Sequence, residues 1–403
     1  MTTTPLAIGI IGSGNRGIDT FGRLLDKRDD AQVVALADPN HLRLAANAKK
    51  LKNAPRAYAS AEAMLDAETL DAVIVTSPDH CHEEHATIAL QRGVNVLIDK
   101  PLATTVAGCQ RVMSAAESSG AIAMIGFNLR HAPVLQRLKK LIDDGDLGRV
   151  FLVENREFYN GGRTYMSRWN RLQANSGGLW IHKGSHDFDV FNWLLGYPKP
   201  VRVSATASVS VLNADNLPFP LKDGVPAGPT CRSCAYRNQC PDVFDLTESP
   251  EWSDAAAEVD GYQRDLCMYL SEKDTHDNGI ATVDYENGVR ASHLECFVTS
   301  MTDRLYTIVG DRGLAEASLH DMRITVRPRW TQEVVTYQIP EARGGHGGAD
   351  PLLLEQFIAT IQGKREGGAT LEQGMWATAI GQAAELSVKR QATVSIDELF
   401  ADS

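Results

Sequence analysis

Residues 6–17 read Leu-Ala-Ile-Gly-Ile-Ile-Gly-Ser-Gly-Asn-Arg-Gly, an apolar run that passes directly into a Gly-x-Gly-x-x-Gly pattern at Gly12, Gly14 and Gly17. Apolar residues then recur at helical spacing over residues 18–25, so the stretch predicts a strand, a tight turn and a helix. In this arrangement the glycines let a pyrophosphate approach backbone N–H groups, and the helix N-terminus adds positive potential. The pattern therefore favours a bound dinucleotide.

The rest of the first 126 residues continues the alternation of strand and helix. Further apolar strands are predicted at 33–37, 72–76, 95–98 and 122–125, with helical patterns between them. Short, continuous apolar strands separated by helices indicate a parallel sheet that is covered on both faces. We predict an α/β protein whose residues 1–126 form a Rossmann domain with a doubly wound parallel sheet.

Asp38 supplies the second part of a dinucleotide fingerprint. It ends the second predicted strand, about 20 residues after Gly17, where a carboxylate can accept hydrogen bonds from the adenosine ribose. Because a carboxylate there repels a 2′-phosphate, NAD is favoured over NADP. Arg43, the nearest basic residue beyond it, is expected to face solvent. The alternative is a doubly wound domain whose glycine turn is only structural.

Beyond residue 126 the pattern changes from alternation to runs of strands. Strands are predicted at 150–153, 201–211, 279–285, 291–298 and 305–309. This texture predicts a C-terminal α+β domain, residues 127–403, with a large, mainly antiparallel open sheet. Within it we place an insertion at about 213–269, a loop at the glycine cluster 344–348, and a C-terminal helix at about 370–390.

Composition excludes several classes of function. The 403 residues contain 40 Lys plus Arg against 51 Asp plus Glu, a net charge of −11, which leaves no basic surplus for nucleic-acid phosphates or anionic lipid. No apolar run approaches the roughly 20 residues of a membrane helix, and the first residues lack the pattern of a secretory signal. We expect a cytoplasmic protein with neither a nucleic-acid nor a membrane partner.

Four of the seven cysteines fall within or near the predicted insertion, at Cys231, Cys234, Cys240 and Cys267. Four thiolates are the number that a tetrahedral structural zinc takes, so the four are candidate zinc ligands. An iron–sulfur cluster and reduced cysteines that only pack are the alternatives. The cysteines are too sparse for a disulfide scaffold.

Five stretches, taken in order, resemble the Gfo/Idh/MocA oxidoreductases, the family of glucose-fructose oxidoreductase and inositol dehydrogenase. They are the glycine turn, Thr-Ser-Pro-Asp-His-Cys-His at 76–82, Asp-Lys-Pro at 99–101, Gly-Phe-Asn-Leu-Arg at 126–130, and Gly-Gly-Leu-Trp-Ile-His-Lys-Gly-Ser-His-Asp-Phe-Asp at 177–189. The resemblance covers nearly the whole chain. It implies a Rossmann domain, a second domain with an open sheet, bound NAD, and assembly into homodimers or tetramers.

The resemblance gives Lys100 the central chemical role, the transfer of a proton from the reacting sugar hydroxyl. Lys100 follows a strand at the edge of the sheet where ligands of such folds bind, and partial burial beside a cationic nicotinamide would lower its pKa. The alternative is an exposed lysine before a turn. Asp99 stands where the family usually has glutamate. Because aspartate is one methylene shorter, the contacts that the family's glutamate makes to the cofactor are not assured for Asp99.

His186 matches the family histidine that assists proton transfer, and His182 stands where the family has an aspartate. A spacing of four predicts both imidazoles on one helical face. His182 is a candidate acid or base; substrate hydrogen bonding, a divalent metal held by the pair, and core packing are the alternatives. Asp189 is expected to orient His186 or to have only a structural role.

The complete set of candidate residues divides by the group that each would contact. At the cofactor we expect Gly12, Gly14, Asn15, Arg16, Gly17, Asp38, Ser77, Pro78, His82, Asp99, Lys100 and Asn128. At the substrate we expect Arg130, Tyr159, Arg163, Arg168, Trp169, Lys183, His186 and His346. Arginines beside an aromatic ring suit a sugar with an anionic substituent, and a solvated basic loop is the alternative.

The resemblance implies NAD-dependent oxidation of a secondary hydroxyl of a sugar, cyclitol or glycoside. A redox-neutral glycosidase begins with the same step: transient oxidation at C3, elimination of the glycosidic bond, addition of water and return of the hydride. The Asn-Arg-Gly end of the glycine turn resembles such glycosidases, and the loop with Arg163 and Arg168 would suit an anionic glycoside such as a sulfonated or carboxylated sugar. A noncatalytic dinucleotide-binding regulator is the third hypothesis, and the presence of both Lys100 and His186 argues against it.

Overall fold

A computed structural model describes residues 4–245, 249–340 and 345–401, with the side chains of 345–347 excepted. The first sheet has six strands, numbered along the chain: β1 (Leu6–Ile11), β2 (Ala31–Ala37), β3 (Arg56–Tyr58), β4 (Ala72–Val75), β5 (Asn95–Ile98) and β6 (Ala123–Ile125). Their order is β3-β2-β1-β4-β5-β6, and all neighbours are parallel. The doubly wound parallel sheet is confirmed, and only the short edge strand β3 was not predicted.

Helices flank this sheet. A π-helix, Arg16–Gly22, continues as α1 (Arg23–Leu25), and it is followed by α2 (His41–Ala48), α3 (Ala61–Ala67), α4 (His82–Gln91) and α5 (Val106–Ser119). The helix predicted after the glycine turn is confirmed, although it begins at Arg16 with π geometry.

The second sheet has nine strands: β7 (Val150–Phe158), β8 (Pro200–Ser208), β9 (Asn278–Tyr285), β10 (Arg290–Cys296), β11 (Asp303–Gly310), β12 (Gly313–Ser318), β13 (Arg323–Pro328), β14 (Val335–Gln338) and β15 (Val394–Ser395). The order is β14-β13-β12-β11-β7-β10-β9-β8-β15. Only β7 and β10 pair in parallel, so the predicted, mainly antiparallel sheet is confirmed. Buried residues alternate along β9 and β10, as expected where one face packs on helices.

The helices of the second half are α6 (Pro133–Asp143), α7 (Gly162–Met166), α8 (Gln173–Ser176), α9 (Leu179–His182), α10 (Ser185–Leu195), α11 (Asp254–Asp260), α12 (Gly345–Ile361), α13 (Leu371–Arg390) and α14 (Glu398–Ala401). In the described part of the chain, no helix combines the length and the apolar character that crossing a membrane requires. The predicted C-terminal helix is confirmed as α13, whose N-terminus carries a capping box of Thr370 and Gln373.

The loop predicted at 344–348 is wrong, because α12 begins at Gly345. The apolar residues Leu353, Leu354 and Phe357 of this helix join the core of the first sheet. A buried apolar face outweighs the roughly 1 kcal/mol that each glycine costs in a helix. The chain therefore returns from its second half to cover the Rossmann domain, which brings Asp350 of α12 to the glycine turn.

Candidate active site

The glycine turn between β1 and the π-helix is shaped for a ligand. Gly12 has a φ of +96°, and an added Cβ there would lie 2.6 Å from the backbone nitrogen of Ser77. A Cβ on Gly17 would lie 2.2 Å from the carbonyl oxygen of Gly12, whereas a Cβ on Gly14 would meet nothing within 4 Å. The protein itself therefore requires glycine at 12 and 17, and Gly14 leaves open space in which a pyrophosphate fits against the backbone.

Asp38 lies beside this turn, at the end of β2. One carboxylate oxygen accepts hydrogen bonds from the backbone nitrogen and the hydroxyl of Ser13, both at 2.9 Å, and the other accepts from the backbone nitrogen of Asn40 at 2.9 Å. These contacts hold the carboxylate where the fingerprint requires an acceptor for ribose hydroxyls.

Three candidate cofactor residues meet next to the turn. Arg16 bonds Asp99 at 3.0 Å and Asp350 at 2.8 Å, and the amide of Asn128 donates to the same oxygen of Asp350 at 2.7 Å. Burial opposes the charge of Arg16, but the two carboxylates outweigh it and raise the pKa of its guanidinium. Asp350 thus ties α12 to the glycine turn and to the crossover after β6.

Lys100 follows β5 and lies beside the segment that carries His182 and His186. Its Nζ donates a hydrogen bond to the backbone oxygen of His182 at 2.7 Å. Burial lowers the pKa of Lys100, Asp79 and Asp99 partly oppose that shift, and the cation of Lys183 adds to it. A lowered pKa increases the fraction of neutral amine, which is the form that accepts a proton.

The ring of His182 connects three polar groups. Nδ1 lies 2.6 Å from the carboxylate of Asp79, and Nε2 lies 3.1 Å from the amide nitrogen of Asn170. The edge contact with the ring of Trp169, at 5.3 Å between centroids, helps to orient the imidazole. Burial lowers the pKa of His182 although Asp79 opposes it, so the neutral form is favoured, with Nδ1–H donating to Asp79.

Asp79 and Asn170 were not among the predicted site residues. Asp79 is only 3% exposed and lies inside the quoted 76–82 stretch, directly after Pro78. A carboxylate that follows a strand at the carboxyl edge of a parallel sheet was the signal that could have singled it out. No comparable signal marks Asn170.

His186 does not share one continuous helix with His182. His182 ends α9, α10 begins at Ser185, and a turn separates them. In this turn an added Cβ on Gly184 would lie 2.7 Å from the carbonyl oxygen of Trp180, so the position has no room for a side chain. Because the helix is interrupted here, a spacing of four residues does not by itself place the two imidazoles on one helical face. His186 is 6% exposed in the first turn of α10.

Lys183 points to a cavity of about 370 Å³ whose lining includes Tyr159, Tyr165, Glu157 and Arg304. Its Nζ bonds Glu157 at 2.7 Å and lies 4.9 Å from the centre of the Tyr159 ring. Burial and the cation of Arg304 act to lower the pKa of Lys183, but Glu157 and Tyr165 together outweigh them and the pKa is raised, so this lysine stays charged. Tyr165 also contacts the ring of His182, which places the cavity next to the histidine.

Arg130 and His82 are used within the protein. Arg130 Nε donates to Asp189 at 2.7 Å, so Asp189 orients this arginine. The two ring nitrogens of His82 lie 2.7 Å from the carbonyl oxygen of Pro101 and 2.9 Å from that of Ser77. His82 therefore connects the loop after β4 with the loop that carries Lys100.

Two other candidates have exposed side chains. Arg163 is exposed and donates to the carbonyl oxygen of Val243 at 3.3 Å, and Asn15 is exposed at the start of the π-helix. The side chain of His346 lies outside the described residues. Arg43 was expected to face solvent, but it is only 7% exposed because the insertion covers it. The expectation is wrong because the sequence of α2 does not show which distant segment packs on the helix.

The structure does not support zinc at the four cysteines. Backbone nitrogens of Gly228 and Phe244 lie 3.4 Å from the sulfurs of Cys234 and Cys231. The described residues contain one group of three side chains whose possible metal-ligand atoms all lie within 4.8 Å of one another. It consists of Glu157, Asp187 and His293, and it includes none of the cysteines. Cations of the protein already neutralise those two carboxylates.

The fold and site together define a class of protein: an oxidoreductase with a dinucleotide-binding Rossmann domain and an open-sheet second domain. Residues 6–127 match the profile described as oxidoreductase family, NAD-binding Rossmann fold, and residues 139–396 match the C-terminal alpha/beta domain of the same family. The chain belongs to the Gfo/Idh/MocA oxidoreductases, and the resemblance found in the sequence is confirmed.

Relatives of the chain include dehydrogenases that act on sugars and cyclitols. YteT of Bacillus subtilis, named as an oxidoreductase, is 29% identical over 96% of this chain and 97% of its own. D-glucoside 3-dehydrogenase of Escherichia coli is 30% identical over 51% of this chain and 58% of its own, and inositol 2-dehydrogenase 2 of Saccharopolyspora erythraea is 32% identical over 47% and 53%. The latter two alignments thus span about half of each protein.

Solved structures show the same fold. An oxidoreductase from Agrobacterium radiobacter in complex with NAD+, L-tartaric acid and magnesium has a TM-score of 0.72 at 15% identity, covering 98% of this chain and 100% of its own. The WlbA dehydrogenase from Chromobacterium violaceum in complex with NADH and UDP-GlcNAcA has a TM-score of 0.71 at 18% identity, covering 98% and 97%.

Gly14→Ala tests the turn without disturbing the protein core. The added methyl group has room in the protein but enters the space assigned to the pyrophosphate. We expect the Kd for NAD to rise at least about tenfold, which is about 1.4 kcal/mol. Calorimetric titration measures it. The melting temperature without NAD should stay within about 2 °C of wild type, and an unchanged Kd would contradict the assignment.

Proposed function

We propose that this protein oxidises a secondary hydroxyl of a sugar, cyclitol or glycoside with NAD. The observation that carries the proposal is Lys100, which is partly buried at the carboxyl edge of the first sheet and donates a hydrogen bond to the backbone oxygen of His182. Relatives named for inositol and D-glucoside substrates support the substrate class. Bound NAD supplies the hydride acceptor.

In this mechanism the chain's own residues bind the polyol and move its hydroxyl proton. Neutral Lys100 accepts the proton at Nζ, and His186 assists it. Charged Lys183 and the rings of Tyr159 and Trp169 bind sugar hydroxyls and the apolar face of the ring. Asp38 and the glycine turn would hold the nucleotide at the carboxyl edge of the first sheet, the edge at which Lys100 lies.

A redox-neutral glycosidase is the second candidate, and the pair of His182 and Asp79 favours it. Elimination of an aglycone requires an acid or base besides the group that handles the C3 hydroxyl. His182 is in contact with Lys100 through its backbone and with Asp79 through its ring, so it can supply that second function. The hydride returns in the last step, and the net reaction is hydrolysis.

The two reactions are separated by one pair of measurements. The full-length protein is mixed with NAD and a panel of free sugars, cyclitols and aryl glycosides, some of them sulfonated or carboxylated. NADH that accumulates in proportion to substrate supports the dehydrogenase; release of aglycone without net NADH supports the glycosidase. Absence of both products with every substrate, although NAD binds, would overturn both in favour of the noncatalytic regulator. Assembly into a dimer or tetramer stays a prediction.

Asp79→Asn tests the pair of His182 and Asp79. The amide has nearly the same size, but it no longer fixes the tautomer of His182 by accepting from Nδ1–H. We expect kcat/KM to fall about tenfold to a hundredfold, as is common when the orienting partner of a functional histidine is lost. NAD affinity should be unchanged. Asp66→Asn, at an exposed aspartate paired with Arg92, is the control; equal rates in both variants would refute the role.

A further inference from the structure

Residues 249–264 of the insertion pack against α2, the helix that comes shortly after Asp38. The side-chain amide of Asn40, the N-cap of α2, donates to the carbonyl oxygen of Ala256 and to the carboxylate of Asp260, each at 2.8 Å. The backbone nitrogen of Asn40 donates to the carboxylate of Asp38 at 2.9 Å. Asn40 therefore joins the insertion to the carboxylate that is assigned to the adenosine ribose.

Arg43, in the first turn of α2, is held by the same segment. Its guanidinium pairs with the carboxylate of Asp260, and its Nε donates to the carbonyl oxygen of Glu251 at 3.2 Å. Its Cζ lies 5.1 Å from the ring centre of Trp252 and 5.4 Å from that of Tyr262. A carboxylate, a carbonyl oxygen and two aromatic rings thus surround this cation and leave only 7% of the residue exposed.

Asp260 is the charged partner in this contact. Burial opposes the charge of its carboxyl group, but hydrogen bonds from Arg43, Asn40 and the backbone nitrogen of Tyr262 outweigh burial and lower its pKa. Breaking a largely buried ion pair leaves a charge without its partner, which is costly. The guanidinium of Arg43 can therefore reach another anion only by giving up a favourable contact.

The location of Arg43 bears on the choice between NAD and NADP. In dinucleotide-binding folds, a carboxylate after the second strand accepts hydrogen bonds from the ribose hydroxyls of NAD, whereas a nearby arginine accommodates the 2′-phosphate of NADP. This chain has both residues, because Asp38 follows β2 and Arg43 lies in the helix that comes next. The partner of Arg43 thus decides whether its charge can serve a phosphate.

We propose that Asp260 makes the cofactor site selective for NAD by keeping the charge of Arg43 from a 2′-phosphate. A 2′-phosphate would meet the carboxylate of Asp38, and the cation that could offset this repulsion stays paired within the insertion. Asp260 is thus a positioning residue that acts through Arg43. This inference rests on the proposed function only in placing the dinucleotide at the glycine turn.

The experiment measures cofactor preference by calorimetry in the full-length protein, without turnover. Wild type should bind NADP at least about tenfold more weakly than NAD. In Asp260→Asn the ratio of the Kd for NADP to the Kd for NAD should fall at least about tenfold, the effect of one hydrogen bond to a charged group. Asp254→Asn is the control, because it removes the same charge from an exposed residue of the same helix, α11, and should leave the ratio unchanged.

A second pair of variants shows whether Arg43 is the group that is released. Combining Asp260→Asn with Arg43→Gln should remove the gain in NADP affinity. Arg43→Gln alone should keep the wild-type ratio within about threefold, because the arginine is already engaged by the insertion. Adenosine 5′-monophosphate and adenosine 2′,5′-bisphosphate repeat the comparison with ligands that differ only in the 2′-phosphate.

Each other outcome overturns the proposal. An unchanged ratio in Asp260→Asn means that the ion pair only fastens the insertion, since a structural defect weakens both nucleotides alike. A gain that persists without Arg43 means that the carboxylate acts by repulsion alone. A higher ratio in Arg43→Gln alone means that wild-type Arg43 already contacts the 2′-phosphate.

Two results need no variant. Equal affinity of wild type for NAD and NADP overturns the selectivity proposed for Asp260, whatever reaction the protein catalyses. Absence of NAD binding would instead overturn the proposed function. If nucleotides bind as expected but no sugar is oxidised, the role of Asp260 stands and the sugar chemistry fails.

Discussion

Lys100→Met is expected to lower kcat/KM by about 10²- to 10⁴-fold, the usual contribution of a positioned general base. Methionine keeps the length and apolar character of the side chain but cannot accept the proton of the reacting hydroxyl. Among the residues that the structure describes, Lys100 hydrogen-bonds the backbone oxygen of His182 alone, so its loss leaves the glycine turn and Asp38 intact. The Kd for NAD should therefore change by less than about threefold, or roughly 0.7 kcal/mol.

The pH dependence of the rate distinguishes lost chemistry from lost structure. The neutral amine is the reactive form, so the wild-type rate should rise with pH until the lowered pKa of Lys100 is passed, and then level off. Lys100→Met should lose this rise. Lys140→Met, at an exposed lysine paired with Asp144, is the control and should keep both rate and profile. Wild-type turnover by Lys100→Met would refute the mechanism.

Arg304→Met is expected to destabilise the fold by about 3–5 kcal/mol, the cost of removing one partner from a buried ion pair. Arg304 bonds Glu157 at 2.8 Å and Asp187 at 3.1 Å, and both carboxylates are almost fully buried. Lys183 still reaches Glu157 in the variant, but within the described ranges the one side-chain partner left to Asp187 is the hydroxyl of Tyr306, at 2.6 Å. Urea unfolding without NAD, followed by circular dichroism, measures the loss.

One comparison makes this result specific. Arg323→Met removes an exposed arginine that begins β13 and pairs with Asp321, and it should cost no more than about 0.5 kcal/mol. A deficit of Arg304→Met that matches this control would show that the network is not held by Arg304.

The buried ion pairs of Arg304 also connect the core of the second domain to the residues proposed to act on the substrate. Glu157 on β7 holds Lys183, and Lys183 follows directly after His182, whose backbone contacts Lys100. The ion pairs at the centre of the second sheet therefore fix the segment that faces the first sheet. We therefore expect Arg304→Met to lose part of its activity even at urea concentrations below its unfolding transition.

The sequence by itself determined the features that depend on neighbours along the chain. Strand and helix periods predicted the Rossmann sheet, and the glycine spacing predicted a turn in which Gly12 and Gly17 prove to have no room for a side chain. The position of Lys100 at the carboxyl edge of this sheet follows from the sequence because Lys100 comes just after β5, and parallel strands end at one edge. The capped helix α13 was predicted for the same reason, since its signals are local.

Only the tertiary structure decided which distant groups meet. The pairing of His182 with Asp79, the insertion that covers Arg43, and the return of α12 to the first sheet each join segments about 100 or more residues apart. Such contacts are selected by the burial and charge balance of the whole packed chain. A local pattern determines whether a segment forms a strand, a helix or a turn. The segment that packs against it is decided by which contact most favourably removes the apolar surfaces of the two segments from water.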